Sequence, residues 1–311
     1  MLPRRSPWED LTPNQIQEMK TISIIGVGLI GGSIGRALRK TKTWKGDRLR
    51  VIGVGRHIEK LKLAKRLGAV DEWTTDFADG TKDADIIFVA TPVDKIVPII
   101  KRISPHLKDK AIVTDVGSVK NSLVNDAEKV HKFFVGSHPL AGSEKTSVRY
   151  SCPDLFKGAN VVITPTKFSD KNAIKTIKNL WEFIGAKVLF MSPEKHDKLI
   201  AYTSHLPHIL SASLINTVSN LNKKDKRVNK LLAGSFRDIT RISDSDPSGW
   251  SVICFSNRQQ LSKSIKSFIK TLQGIEKDIV SIKKLYRFFL QSKHNRWQLL
   301  ESNQKKTFIN H

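Results

Sequence analysis

"TISIIGVGLIGGSIGRALRK", Thr21 to Lys40, decides the fold. Thr21 to Ile25 is a short run of apolar and β-branched residues, the composition of a buried strand. Gly26, Gly28 and Gly31 follow at once as G-x-G-x-x-G, and a helical stretch is predicted from about Ser33. A strand before the glycines and a helix after them give the pattern its meaning. The first glycine permits a tight turn, the second lets backbone approach a pyrophosphate, and the third lets helix and strand pack closely. The helix N-terminus adds amide donors and the positive end of the helix dipole. A dinucleotide site is therefore expected on Gly26, Gly28, Leu29, Ile30 and Gly31.

Strand and helix patterns alternate beyond this unit. "RLRVIGVGR", "ADIIFVATP", "KAIVTDVGS", "KFFVGSHP", "GANVVITP" and "KVLFMSP" read as strands, with amphipathic stretches such as "HIEKLKLAKRLGA" between them. That alternation predicts an α/β fold with a mostly parallel sheet covered on both faces. From Pro193 the pattern is helix after helix, without β-type alternation. We divide the chain into an N-terminal extension (1–18), a Rossmann-type dinucleotide-binding domain (19–192), an all-helical domain (193–290) and a basic, frayed tail (291–311).

The chain has 311 residues, 39% hydrophobic and 26% charged, enough for two moderate domains with a real core. No stretch approaches the ~20 apolar residues of a membrane span, and the N-terminus has no apolar signal core. A cytoplasmic protein without a membrane partner is expected. Cys152 and Cys254 lie far apart without metal-type spacing, so no disulfide framework or zinc site is read. The formal net charge of +24 raises the question of nucleic acid. Because the lysines are spread along the chain and no nucleic-acid motif accompanies them, we read solvated faces and a field that steers small polyanions.

At the end of the second strand an NAD site usually has an acid for the ribose hydroxyls. Here Gly55 occupies that place and Arg56 follows. A guanidinium can pair with a 2′-phosphate, so NADP is favoured over NAD; the competing reading is an Arg56 that is merely exposed or stacks on adenine. Ligands of such sheets sit at the carboxyl ends of the strands. Thr91-Pro92, "DVGSVK" (Asp115 to Lys120) and "GSHPLAGSEK" (Gly136 to Lys145) fall there. His138 and Ser118 thus end successive strands near the nicotinamide, and a neutral imidazole there can take a proton from a substrate hydroxyl as hydride leaves the same carbon.

With "GVGLIGGS", "TDVGSVK", "GSHPLAGSEKTSV", "MSPEKHD", "TSHLPH" and "FRDITRISDSDPSGW" in order, the chain resembles the prephenate/arogenate dehydrogenases of tyrosine biosynthesis from about Thr21 to about residue 280. The resemblance is to the monofunctional type, with no fused chorismate mutase before Thr21 and no ACT domain after about residue 290. It implies oxidative decarboxylation of a cyclohexadienol by a homodimer, with NADP or NAD as cofactor and the helical domain (193–290) as the substrate and dimerisation domain. It also implies His138 as proton acceptor, Ser118 as its partner and Arg241 as the anchor of the ring carboxylate, a role that suits a planar donor fork. Ser204, His205 and His208 of "SHLPH" would line the substrate cleft; the competing readings are a structural role or a two-histidine metal site, and no H-E-x-x-H carboxylate supports the metal. His196 also matches a family position. Glu144 and Asp238 are substrate-side candidates for gating or for pairing with an ammonium group, the competing reading being a helix-capping or salt-bridge role, and Ser143 is a further substrate-side candidate. Trp250 resembles a tryptophan that reaches a neighbour's active site in related dimers.

Two alternatives remain. One is another dehydrogenase with the same domain order, of the β-hydroxyacid or imine-reductase type, which would usually rely on a lysine or aspartate in its helical domain. The other is a non-catalytic dinucleotide- or RNA-binding protein on the same fold, which fold analogy alone does not exclude.

Overall fold

The computed structural model describes residues 19–41, 43–44, 46–142, 145 and 147–301. The first part runs β1 (Met19–Ile25), α1 (Leu29–Thr41), β2 (Thr43–Trp44), β3 (Asp47–Val54), α2 (Ile58–Arg66), β4 (Glu72–Thr74), β5 (Ile86–Val89), α3 (Val93–Ile103), β6 (Ile112–Asp115), α4 (Asn121–Val130) and β7 (Phe134–Val135). Parallel strands lie in the order β4, β3, β1, β5, β6, β7, and β2 pairs antiparallel with the start of β3. This is the strand order of dinucleotide-binding sheets, with its switch point between β1 and β5. Register then does the positioning. Ile25 pairs with Val89, and Val89 with Asp115, so the turns that follow all open on one edge.

Both faces of the sheet are covered. Ile22, Ile24 and Phe88 pack towards Ile34 and Leu38 of α1 and towards Ile177 and Trp181 of α5 (Lys171–Phe183). Ile25, Ile87 and Val89 point the other way, to Ile96 and Ile100 of α3 and Leu123 and Val124 of α4. Phe88 meets the edge of Trp181 at a ring separation of 5.6 Å. Truncating either buried ring would cost about 3–5 kcal/mol.

Helix α1 begins at Leu29, earlier than the expected Ser33. Two consecutive glycines weaken helix propensity there, but packing demands them. A Cβ on Gly31 would lie 2.3 Å from the Gly26 carbonyl oxygen, and one on Gly32 would lie 2.8 Å from Val148.

The run "KFFVGSHP" is not one strand. It splits at Gly136 into β7 and β8 (Ser137–Pro139), and β8 joins a second sheet with β9 (Asn160–Ile163) and β10 (Lys187–Phe190). In that sheet β8 is antiparallel to β9, whereas β9 and β10 are parallel. The chain can cross between sheets because residue 136 has no side chain: a Cβ would lie 2.6 Å from both Thr164 Oγ1 and Val124 Cγ2.

Helices follow: α6 (Pro193–Ile200), a π-helical turn (Ala201–His205), α7 (Leu206–Lys224), α8 (Gly234–Thr240), α9 (Pro247–Ser256), α10 (Arg258–Asp278) and α11 (Ile282–Glu301). Among the described residues no strand occurs beyond Phe190. Helix α11 runs through residues 291–301, part of the stretch expected to fray; Trp297, Leu299 and Leu300 give that stretch more apolar character than a polar tail has. The chain forms two compact units, Met1–Arg258 and Gln259–His311. No described helix is long and apolar enough to cross a membrane.

Candidate active site

The glycine turn is shaped for close approach. Gly26 has φ +92°, and a Cβ there would fall 2.5 Å from the Ala90 carbonyl oxygen. Its amide donates to Val54 O at 2.9 Å, and the Gly28 amide donates to Gly26 O at 2.9 Å. Leu29 is buried and Ile30 half-buried at the start of α1. Across the switch point, the buried Thr91 Oγ1 has no hydrogen-bond partner, and Pro92 opens α3. A cradle without side chains, a helix start and an orphaned hydroxyl fit a dinucleotide pyrophosphate. Gly55 and the exposed Arg56 lie just beyond β3.

On the same edge, Asp115 ends β6 and organises the loop behind it. Its Oδ2 accepts from the Gly117 amide at 2.7 Å and from the Lys120 ammonium, and its Oδ1 accepts from the Ser137 amide at 3.0 Å. Asp115 and Lys120 are fully buried. Burial lowers the Lys120 pKa, against the opposing pull of Asp115. These bonds fix β8 just before His138.

His138 is 9% exposed. Its Nδ1 lies 2.8 Å from His196 Nε2, and His196 Nδ1 lies 2.8 Å from Asp197 Oδ1. Asp197 in turn accepts the Lys120 amide at 2.8 Å and the Asn121 amide at 2.9 Å, at the N-terminus of α4. Burial holds the His138 pKa well below 6.5, helped by His196, the Lys120 ammonium and His205. The His196 pKa is also lowered, chiefly by burial, with Asp197 opposing. His138 is therefore a neutral imidazole at neutral pH.

His205 enters through the π turn. Pro207 cannot donate a backbone hydrogen bond, and its ring crowds the carbonyl four residues back. The widened turn Ala201–His205 lies just ahead of it. His196 and His205 are nine residues apart, which in a regular helix is about 180° of rotation. One residue absorbed by the π turn brings them to about 80°, and both are fully buried. Asn257, which caps α9, donates through Nδ2 to Asp197 O at 2.8 Å and to His205 Nδ1 at 3.2 Å. The proton of His205 thus sits on Nε2, which is buried and has no partner. Burial lowers its pKa to about 4.

The nucleotide-binding domain of prephenate dehydrogenase matches residues 34–190, and its dimerization domain matches residues 192–289. The chain belongs to the prephenate dehydrogenase family. As a member it is an oxidoreductase that uses a nicotinamide dinucleotide. The prephenate dehydrogenase of Bacillus subtilis is 34% identical over 289 residues, covering 91% of this chain and 76% of that one. The structure of prephenate dehydrogenase from Aquifex aeolicus with hydroxyphenyl propionate and NAD+ is 36% identical, with TM-score 0.85, covering 94% of this chain and 100% of that one. Synechocystis arogenate dehydrogenase is 30% identical with TM-score 0.78, covering 90% and 100%.

Within this prephenate dehydrogenase family member, the predicted site residues fall into three sets. His138, His196 and His205 come together through the bonds above. Ser118 is half-buried in the β6–α4 loop, but the hydrogen bond of His138 goes to His196 instead. His208 stacks on Trp250 at 3.3 Å between ring centroids, with His205 edge-on to the same ring at 6.1 Å. Trp250 thus packs on two histidines of its own chain. Ser204 is half-buried in the π turn, and Asp238 and Arg241 are exposed at the end of α8 and in the turn Arg241–Asp244. Ser143 and Glu144 lie outside the described residues. Among the described residues no group of three or more His, Cys, Asp or Glu could hold a metal ion. Sequence reasoning missed Asp115, Lys120, Asp197 and Asn257. Asp115 and Lys120 lie in "TDVGSVK" and Asp197 in "EKHDK", where a buried acid or lysine reads on paper as an ordinary surface charge; Asn257 lies in neither motif.

Proposed function

We propose that this protein carries out the oxidative decarboxylation of prephenate, or of its amino-acid counterpart arogenate, with NADP preferred over NAD. The observation that carries the reading is His138, neutral, nearly buried and engaged at Nδ1, on a strand tied through the Ser137 amide to Asp115 at the edge that also bears the dinucleotide cradle. When bound, the dinucleotide supplies the hydride acceptor. His138 uses its remaining nitrogen, Nε2, to take the C4 hydroxyl proton as hydride leaves C4 and carbon dioxide leaves C1. Ser118, in the adjoining loop, orients that hydroxyl. The Nε2–H of His205, buried without an acceptor, offers a donor to substrate oxygen. Arg241 holds the ring carboxylate, as a guanidinium fork suits.

NADP preference rests on Gly55 and Arg56, since neither of the two residues directly after β3 is a carboxylate that would repel a 2′-phosphate. We also assign the substrate and dimerisation role to residues 193–290 and a homodimer to the intact protein. That fits the exposed Ile269, Leu272, Phe289 and Leu290 on α10 and α11 and the dimerization domain matched there. The test is absorbance of the reduced nicotinamide with prephenate and arogenate, each against NAD and NADP. Turnover with an NADP pair supports the full reading. NAD alone would overturn the assignment of Arg56, and no turnover in any pair would overturn the substrate.

A further inference from the structure

His138, His196 and Asp197 form a buried line of hydrogen bonds whose chemistry permits only one arrangement of protons. Asp197 Oδ1 also accepts the Lys120 amide, and Oδ2 accepts the Asn121 amide, so the side chain serves as a carboxylate that accepts. His196 must then donate from Nδ1 to reach it at 2.8 Å. A neutral His196 with its proton on Nδ1 has a lone pair on Nε2. That lone pair, 2.8 Å from His138 Nδ1, requires His138 to donate in turn. The lone pair of His138 is thereby placed on Nε2.

We propose that His196 and Asp197 are positioning residues that hold the general base His138 in its Nδ1–H tautomer, and that Asp197 supplies the buried counter-charge when His138 takes a proton. The inference rests on His138 being the proton acceptor of the reaction above. Charge balance supports it. The buried carboxylates Asp115 and Asp197 face one ammonium, Lys120, which leaves a single negative charge while the histidines are neutral. Uptake of one proton by His138 neutralises the set. The proton itself stays on His138 Nε2, and Asp197 remains ionised, so no proton travels along the line; an aspartate behind a histidine acts this way in hydrolases. Asn257 ties the arrangement to the other side of the site, because its Nδ2 donates both to Asp197 O and to His205 Nδ1. One residue pair, 196 and 197, thus connects an acceptor nitrogen on His138 with a donor nitrogen on His205.

The test combines imidazole 15N–1H spectra of histidine-labelled full-length protein with pH profiles of turnover, using wild type, His196→Gln, His196→Leu and Asp197→Asn. In wild type His138 should show the Nδ1–H tautomer; a protonated Nε2 would overturn the proposal without any reference to activity. Glutamine can still accept from His138 Nδ1, whereas leucine cannot. His196→Leu should lose about 100-fold or more in kcat, within the range of a general base, and glutamine should recover at least about tenfold of that loss. Asp197→Asn removes the counter-charge, so the acid limb of kcat/KM should move to lower pH. Equal losses in the glutamine and leucine variants, or an unmoved acid limb in Asp197→Asn, would mean a merely structural role. If wild type turns over none of the substrate pairs, the assigned reaction fails, while the tautomer of His138 still decides the role of His196 and Asp197.

Discussion

Acidification should destabilise this protein, and His205 gives the size of the effect. The ring is fully buried, and burial lowers its pKa from 6.5 to about 4. A histidine depressed in this way binds protons more readily in the unfolded chain than in the folded one. Its contribution is therefore intact above pH 6.5 and is lost as pH falls through the folded value. From pH 7 to pH 5 the loss from this ring alone is roughly 2 kcal/mol. His138 and His196, also depressed by burial, act in the same direction. The assay is urea unfolding at the two pH values, at fixed protein concentration, for wild type and His205→Gln. Carboxylates and the other histidines titrate in both proteins, so their effects largely cancel in the comparison. Wild type should lose about 2 kcal/mol more than the variant on acidification. Equal losses would refute the reasoning, since they would mean that His205 protonates in the folded state as freely as in water.

Three further outcomes follow from the geometry. His138→Asn should lower kcat by about 10²–10⁴-fold with dinucleotide affinity nearly unchanged in a titration; near-wild-type turnover would remove His138 as the base. Gly136→Ala should lower Tm, because its Cβ would meet Thr164 and Val124 at 2.6 Å and overpacking costs about 1–3 kcal/mol. Its kcat should fall as well, since His138 hangs from the same crossing; an unchanged Tm would show that the two sheets yield there. Asp115→Asn should cost about 3–5 kcal/mol by stranding the buried Lys120 ammonium. Adding Lys120→Met should restore part of that, and a double variant no more stable than the single one would deny the pairing.

Much of the fold was legible because its signals are local. The alternation of strands and helices, the glycine turn at Gly26 to Gly31 and the all-helical character after Pro193 each depend on neighbours in sequence. What the sequence concealed depends on partners far along the chain. Nothing local distinguishes "KFFVGSHP" as one strand from the same run broken at Gly136, because the atoms that forbid a Cβ belong to Val124 and Thr164. The strand ends point to Ser118 as a neighbour of His138, but nothing local points to the bond of His138 Nδ1, which reaches 58 residues ahead to His196. Asp197 and Asn257 lie 60 residues apart and meet only after folding. Trp250 stacks on His208 of its own chain, a contact that no spacing rule foretells.

The π turn at Ala201–His205 makes the width of a single helical turn a determinant as strict as residue identity. Narrowing it to an ordinary helical turn, with no residue removed, would leave every named histidine in place in the sequence. Everything after the turn would then swing by about 100° relative to α6, carrying His205 off its present heading and breaking step with Asn257. Removing one residue together with the wide turn would restore about 80° between His196 and His205, so the width of the turn and its residue count can change only together.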